Sequence, residues 1–291
     1  MDRREFLAAS TMAVGAAKLA APASAGTFTR PSQGSTAKAP GKLKHSLCRW
    51  CYSGIPLDEL CAKVKPLGYA SIELLGEKEW PIVAAHGLQC AVANGPTKIG
   101  DGLNNPANHA AFAVQCERLI PLVKEAGIPN LIVFSGNRGA VSDDDGLANC
   151  ATALQMVTPI AEDQGVTIVM ELLNSKVDHH GYMCDRTPWG VELVKRVGSD
   201  RFRLLYDIYH MQVMEGDVIR TMTDNLWAIA HFHTGGVPGR AEIDDSQELN
   251  YPAICRALVA SGYSGFLAQE FIPRRDPIAS LSDAIARCSV V

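Results

Sequence analysis

From His45 onward the chain repeats one phrase: a short β-branched or aromatic run, a polar or glycine-containing turn, then a longer stretch with helical period. Strand candidates lie at 45–52, 69–75, 88–94, 129–135, 166–172, 202–207, 226–233 and 265–271. Helix candidates lie between them at 57–67, 79–86, 107–126, 144–164, 188–197, 215–223, 250–261 and 277–288. Gly68, Gly87, Gly127, Gly165, Gly198 and Gly262 stand where these helices should stop. Strand and helix in strict alternation require a parallel sheet, and eight such units predict an α/β fold, a (β/α)8 TIM barrel. A doubly wound open sheet would want a glycine-rich phosphate loop after its first strand, and "CRWCYSGIPLDE" contains none.

Upstream of that body the composition changes. "MDRREFLAASTMAVGAAKLAAPASA" pairs Arg3 with Arg4, continues through Phe6 and Leu7 into a short apolar stretch, and ends on Ala23-Ser24-Ala25. This reads as a signal of the twin-arginine type over residues 1–25, and it predicts a periplasmic or otherwise exported protein. Residues 26–44, rich in Gly, Pro, Ser and Thr, read as a flexible linker. The remaining body, 45–291, suits one large domain.

The near-neutral formal charge of −4, with scattered basic residues, argues against a nucleic-acid partner. The apolar stretch of the signal is too short to span a bilayer and no second one reaches that length, so stable membrane insertion is not expected. A small-molecule partner is expected, and a homo-oligomer is compatible with the sequence. The nine cysteines are spread through apolar segments as small hydrophobes rather than as a disulfide framework. Cys48 and Cys51 form a C-x-x-C, but "HSLCRWCY" reads as a strand, whereas a redox pair would normally open a helix.

In such a barrel the chemistry stands at the C-terminal ends of the strands, and alternation shows which side chains point inward. Glu171 ends the fifth strand in phase with Thr167 and Val169, and Asp207 ends the sixth in phase with Arg203 and Leu205. His231 and His233 share one face of the seventh, and Glu270 ends the eighth in phase with Phe266 and Ala268. Three buried carboxylates converging would repel one another and lose hydration, a cost on the order of several kcal/mol unless a cation sits among them. A mostly oxygen-donor set suits one divalent metal ion, Mn²⁺ or Mg²⁺, with Co²⁺ also compatible. The alternative is an internal salt-bridge network with Arg203. Of the two histidines, His231 lies about 6.6 Å deeper, at about 3.3 Å per residue, which leaves His233 at the rim.

The pieces "VMELLN", "YDIYH", "HFHTGGVPGR" followed by "ELNY", and "AQEF" resemble the xylose-isomerase-like barrel superfamily of sugar isomerases and epimerases. Within it they look most like hydroxypyruvate isomerases and ketose 3-epimerases. The resemblance spans the body from His45. It implies that Glu171, Asp207, His233 and Glu270 bind the metal, that Glu171 and Glu270 also transfer the proton, and that His210 and Arg240 hold substrate. The "VPGR" and "ELNY" pieces look like hydroxypyruvate isomerase; there the position of His233 is typically glutamine, and histidine looks like the epimerases.

Those groups suit proton abstraction next to a carbonyl, with the metal gripping the substrate's oxygens and stabilising an enediolate. Isomerisation and epimerisation differ only in where the proton returns. His210 follows the sixth strand, and Arg240 sits in a glycine-rich loop where a guanidinium can reach a carboxylate. Glu73 and Asn94 end the second and third strands and are expected to line the substrate pocket, with Trp50, Tyr52 and Asn174 as further rim residues. The expected reaction is isomerisation or epimerisation of a small hydroxy-keto acid or sugar. Two alternatives share the sequence features: a metal-dependent lyase acting on keto-sugar glycosides, and a non-catalytic sugar-binding protein of the envelope. An endonuclease-like relative would bring more histidines and a basic face.

Overall fold

The computed structural model describes residues 42–290, so the export signal and all but the last three residues of the expected linker lie outside the described residues. The body runs β1 (Lys44–Cys48), α1 (Leu57–Val64), β2 (Ser71–Glu73), α2 (Trp80–Ala85), β3 (Val92–Ala93), α3 (His109–Glu125), β4 (Asn130–Val133), α4 (Asp143–Gln164) and β5 (Thr167–Leu172). It continues α5 (Thr187–Val197), β6 (Phe202–Asp207), α6 (Ile208–Met214), α7 (Val218–Asp224), β7 (Ile229–Thr234), α8 (Tyr251–Ala260), β8 (Phe266–Gln269) and α9 (Pro277–Cys288). No helix among the described residues is long and apolar enough to cross a membrane.

The strands form one parallel sheet in the order β2-β1-β8-β7-β6-β5-β4-β3. Its two edges meet through backbone bonds from Ile72 N to Gln89 O at 3.1 Å, Leu74 N to Val92 O at 2.8 Å and Asn94 N to Leu75 O at 3.0 Å. The eight strands therefore close as the expected (β/α)8 barrel.

Alternation along the strands divides the core in two. Val92, Ile132, Val169, Leu205 and Phe266 fill the barrel interior, while Ile168, Met170, Leu172, Leu204, Tyr206 and Phe232 pack in the larger cluster against the helices. Burying each such side chain contributes about 1.5–3 kcal/mol. All six glycines expected at helix ends have positive φ. Gly165, at φ 71°, closes α4 in the left-handed conformation, which gives its N–H the carbonyls of Ala161 and Glu162.

Four stretches depart from expectation, the first being β3, which keeps only Val92–Ala93 of the strand expected over 88–94. β1 stops at Cys48, and Arg49–Tyr52 form a 3₁₀ turn rather than more strand. The neighbouring strands end at Glu73 and Gln269, so residues 49–52 have no ladder to join; the Tyr52 carbonyl instead accepts from Ile55 N at 3.0 Å and Arg49 Nη1 at 2.6 Å. Residues 226–228 likewise form a 3₁₀ turn, and β7 begins at Ile229. The single helix expected over 215–223 is preceded by α6, and Gly216 at φ 70° with Asp217 at φ 45° breaks the chain between α6 and α7.

Candidate metal centre and active site

Glu171, Asp207 and His233 end or nearly end β5, β6 and β7, and Glu270 immediately follows β8. Strand phase turns all four into the mouth of the barrel, where they are buried and offer ligand atoms within 4.8 Å of one another. His233 Nδ1 is the meeting point, 3.1 Å from Glu171 Oε1 and 2.7 Å from Glu270 Oε2. Asp207 faces two ways: Oδ1 caps α6 by accepting from Tyr209 N at 2.8 Å and His210 N at 3.3 Å, and Oδ2 stays in the site.

Three carboxylates so placed require positive charge. It does not come from Arg203, whose guanidinium turns to Asp200 Oδ1 at 2.8 Å and the carbonyls of Ser199 and Phe202. Instead Arg240 Nη2 lies 2.7 Å from Glu270 Oε2 and 3.2 Å from Asp207 Oδ2. Its guanidinium lies 5.1 Å from the Trp50 ring and 5.4 Å from the Tyr209 ring. The residue holds φ 53°, a left-handed conformation uncommon outside glycine, at the end of the "GGVPGR" loop. Trp50 Nε1 donates to Glu270 Oε1 at 2.7 Å, a partner the sequence could not show because the 3₁₀ turn after β1 brings it over the end of β8.

These surroundings separate the four groups electrostatically. Burial, then the Glu270 charge, raises the Glu171 pKa. Burial raises Asp207 well above the usual carboxylate range despite Arg240. Burial also acts on Glu270, but the Arg240 and His233 charges outweigh it and hold that carboxyl well below its ordinary value. Burial would lower His233, but Cys48, Glu270 and Glu171 outweigh it and raise the imidazole well above its usual value. The donor set of three carboxylates and one imidazole fits a divalent cation by chemistry, burial and mutual approach.

His210 lies in the first turn of α6, fully buried, not in a loop beyond the strand. Asn174 Nδ2 approaches His210 Nδ1 at 2.7 Å, so Nδ1 accepts and Nε2 carries the hydrogen. Nε2 has no hydrogen-bond partner, and burial holds the ring well below its usual pKa, keeping it neutral. One buried N–H donor is therefore unspent beside Asp207.

Glu73 is fully buried and meets His233 from the opposite edge of the ring, with Oε1 2.9 Å from Nε2 and 2.7 Å from His231 Nε2. Burial pushes its pKa up, but His231 and His233 outweigh it and hold Glu73 down at about 2. Asn94 is exposed, its amide donates to Leu74 O at 3.1 Å, and it makes no hydrogen bond to the cluster. Tyr52 is buried with its hydroxyl unpartnered and packs edge-on against Phe271 at 6.2 Å. Cys48 and Cys51 are free thiols with pKa values raised well above normal by burial, the opposite of a reactive pair.

A family model described as a xylose isomerase-like TIM barrel matches residues 61–288. The 2-oxo-tetronate isomerase of Cupriavidus necator is 35% identical over 180 residues, which cover 60% of this chain and 67% of the relative. The hydroxypyruvate isomerase of Escherichia coli is 30% identical over 118 residues, covering 40% of this chain and 45% of the relative. Among solved structures, AP endonuclease, family 2 from Brucella melitensis superposes with a TM-score of 0.76 at 22% identity, covering 86% of this chain and 100% of that one. At that identity the likeness concerns the fold.

Proposed function

Since the chain belongs to the xylose isomerase-like TIM barrel family, we propose that it is a metal-dependent isomerase of a small 2-oxo acid or sugar bearing a hydroxyl next to its carbonyl. The observation that carries this reading is the pair Glu171 and Glu270, two buried carboxylates from opposite ends of the β5–β8 arc that meet at one ring nitrogen of His233, at 3.1 and 2.7 Å. The names of the two isomerases above support a hydroxy-keto acid as the substrate.

A divalent ion held by Glu171, Asp207, His233 and Glu270, Mn²⁺ or Mg²⁺ by their chemistry, would polarise the substrate's oxygens and offset the negative charge left by proton loss. One of Glu171 and Glu270 removes the proton next to the carbonyl, and the other returns one to the neighbouring carbon or the opposite face. His210 Nε2–H donates to a substrate hydroxyl. Arg240, free to exchange its carboxylate partners for one on the substrate, anchors the acid group in a bidentate manner. Trp50 holds Glu270 in position through its indole N–H and covers the site from one side. We also propose export, on the strength of Arg3 and Arg4 followed by the Ala-x-Ala end.

The test incubates the Mn²⁺-loaded protein in D₂O with hydroxypyruvate, 2-oxo-tetronate, common ketoses and a 3-keto-glycoside, followed by NMR. Solvent deuterium should enter at the carbon next to the carbonyl of at least one acid or ketose, and Glu171→Gln or Glu270→Gln should lower turnover by about 10²–10⁴-fold. Release of a leaving group from the glycoside would assign the same site to elimination. No exchange with any of them, or full turnover by Glu270→Gln, would refute proton transfer by this pair.

A further inference from the structure

Beneath the carboxylates lies a fully buried cluster that the proton transfer does not use: Ser46, Cys48, Glu73 and His231. No lysine or arginine reaches it among the described contacts of Glu73. Its carboxylate is instead satisfied by side chains that donate, Ser46 Oγ to Oε2 at 2.5 Å and the Nε2 atoms of His231 and His233 to Oε1 at 2.7 and 2.9 Å. An ionised carboxylate only accepts, so both imidazoles must present N–H from Nε2. The backbone supports the placement: Leu74, next in the chain, holds φ 58°, a conformation that costs a non-glycine residue about 1 kcal/mol or more, while its N–H bonds Val92 O at 2.8 Å.

We propose that Glu73 is the positioning residue of the metal centre: by accepting the Nε2–H of His233 it fixes the ring so that Nδ1 faces Glu171, Asp207 and Glu270 as a ligand. The inference rests on the metal-dependent reading of that site. His231 and Ser46 complete the arrangement by holding the carboxylate that does the orienting, which explains why the seventh strand carries two histidines on one face. Metal-binding histidines generally need such a partner on their second nitrogen, since it sets both tautomer and ring orientation. Cys48 Sγ lies 3.7 Å from the same Nε2 and with Glu73 and His233 forms a second group of ligand type. Because Glu73 Oε1 is already shared by two imidazoles, one ion per chain is expected, bound on the Nδ1 side.

The experiment uses the full chain stripped of metal and titrated with Mn²⁺, read by EPR and calorimetry. Wild type should bind one ion, and Glu73→Gln, which keeps the volume and an acceptor but removes the charge that strengthens the bond from His233 Nε2–H, should bind about 10–100-fold more weakly. Independently of any variant, long-range ¹H–¹⁵N spectra of the Mg²⁺-saturated, histidine-labelled wild type should show His231 and His233 protonated on Nε2 alone. His233 protonated on Nδ1, two ions per chain, or unchanged Mn²⁺ affinity in folded Glu73→Gln would each overturn the assignment while leaving the metal centre standing. If wild type binds neither Mn²⁺ nor Mg²⁺, the metal reading itself fails, and the inference with it.

Discussion

Replacing Arg240 by methionine tests whether the guanidinium is the cation that keeps the metal-free site together. Arg240 Nη2 sits 2.7 Å from Glu270 and 3.2 Å from Asp207, with side-chain exposures of only 11% for Arg240, 3% for Glu270 and 0% for Asp207. Removing one partner of a buried pair leaves uncompensated charge and costs about 3–5 kcal/mol. Methionine keeps much of the contact with Trp50 and Tyr209, so most of that loss should be electrostatic. A divalent ion supplies the missing charge, and at about 100 times its Kd it stabilises a free site by about 2.7 kcal/mol. Urea unfolding followed by circular dichroism should therefore show Arg240→Met well below wild type when stripped of metal and much closer to it in excess Mn²⁺. By linkage, every 1.4 kcal/mol by which the gap narrows must reappear as about tenfold tighter Mn²⁺ binding by the variant in calorimetry. Arg240→Lys, which retains the charge, should fall between the two. A stripped Arg240→Met protein within about 1 kcal/mol of wild type, less than the loss of a buried pair costs, would refute the argument.

Other outcomes follow from different parts of the molecule. Burial raises the Glu242 carboxyl, but its bonds with the backbone of Arg275 and Arg274 and the Ser280 hydroxyl outweigh that and lower its pKa. A carboxylate with a lowered folded-state pKa stabilises above its unfolded value and loses that contribution as pH falls through the folded one. Acid unfolding of Glu242→Gln should thus be flatter than wild type below about pH 4.5, with little difference in slope at neutral pH. The His233 imidazole, raised well above its ordinary pKa in the metal-free site, should shed its Nδ1 proton when Mn²⁺ binds near neutral pH, and with Asp207 also raised the release should reach at least about one proton per ion. Calorimetry in buffers of different ionisation enthalpy measures that release, and none at all would remove His233 from the ligand set. Changing Arg3 and Arg4 together to lysine should leave the protein unexported, as read by cell fractionation, and unchanged export would remove the twin-arginine assignment.

The alternation of strand and helix was legible because a barrel strand has a two-residue period and its helices a longer one, so both faces of each strand are written in local sequence. Val169 with Glu171, and Leu205 with Asp207, could be assigned to the interior without coordinates, and they lie there. What local pattern could not carry was any feature set by distant neighbours. "CRWCY" has strand composition, yet it turns into a 3₁₀ segment because the strands on either side have ended. α6 was invisible because its N-cap is Asp207, a residue already accounted for by the site. The Arg240 ion pairs span 33 and 30 residues of chain, and nothing near Arg240 announces Asp207 or Glu270 as partners.

The same distinction explains why the charge argument held in kind while its alternative, a salt-bridge network with Arg203, named the wrong arginine. Three inward acids on neighbouring strands had to be met by positive charge, and that requirement follows from burial alone. Which cation meets it depends on reach. Arg203 shares the phase of Asp207 but lies at the opposite end of β6, where Asp200 and backbone carbonyls take its guanidinium. Arg240 shares no strand with the acids, yet its loop folds it over the mouth of the barrel. His233 is then the junction of two charge systems, with Nδ1 toward Glu171 and Glu270 and Nε2 toward Glu73. With carboxylates on both nitrogens, the ring can satisfy them all only by carrying two protons, or by giving Nδ1 to a metal ion and keeping its proton on Nε2. In the second state a divalent ion would take over the neutralising task from the Nδ1 proton and from Arg240 together, and would free the guanidinium for the acidic substrate proposed above. On the proposed function, loading the metal and preparing the substrate site would be the same rearrangement.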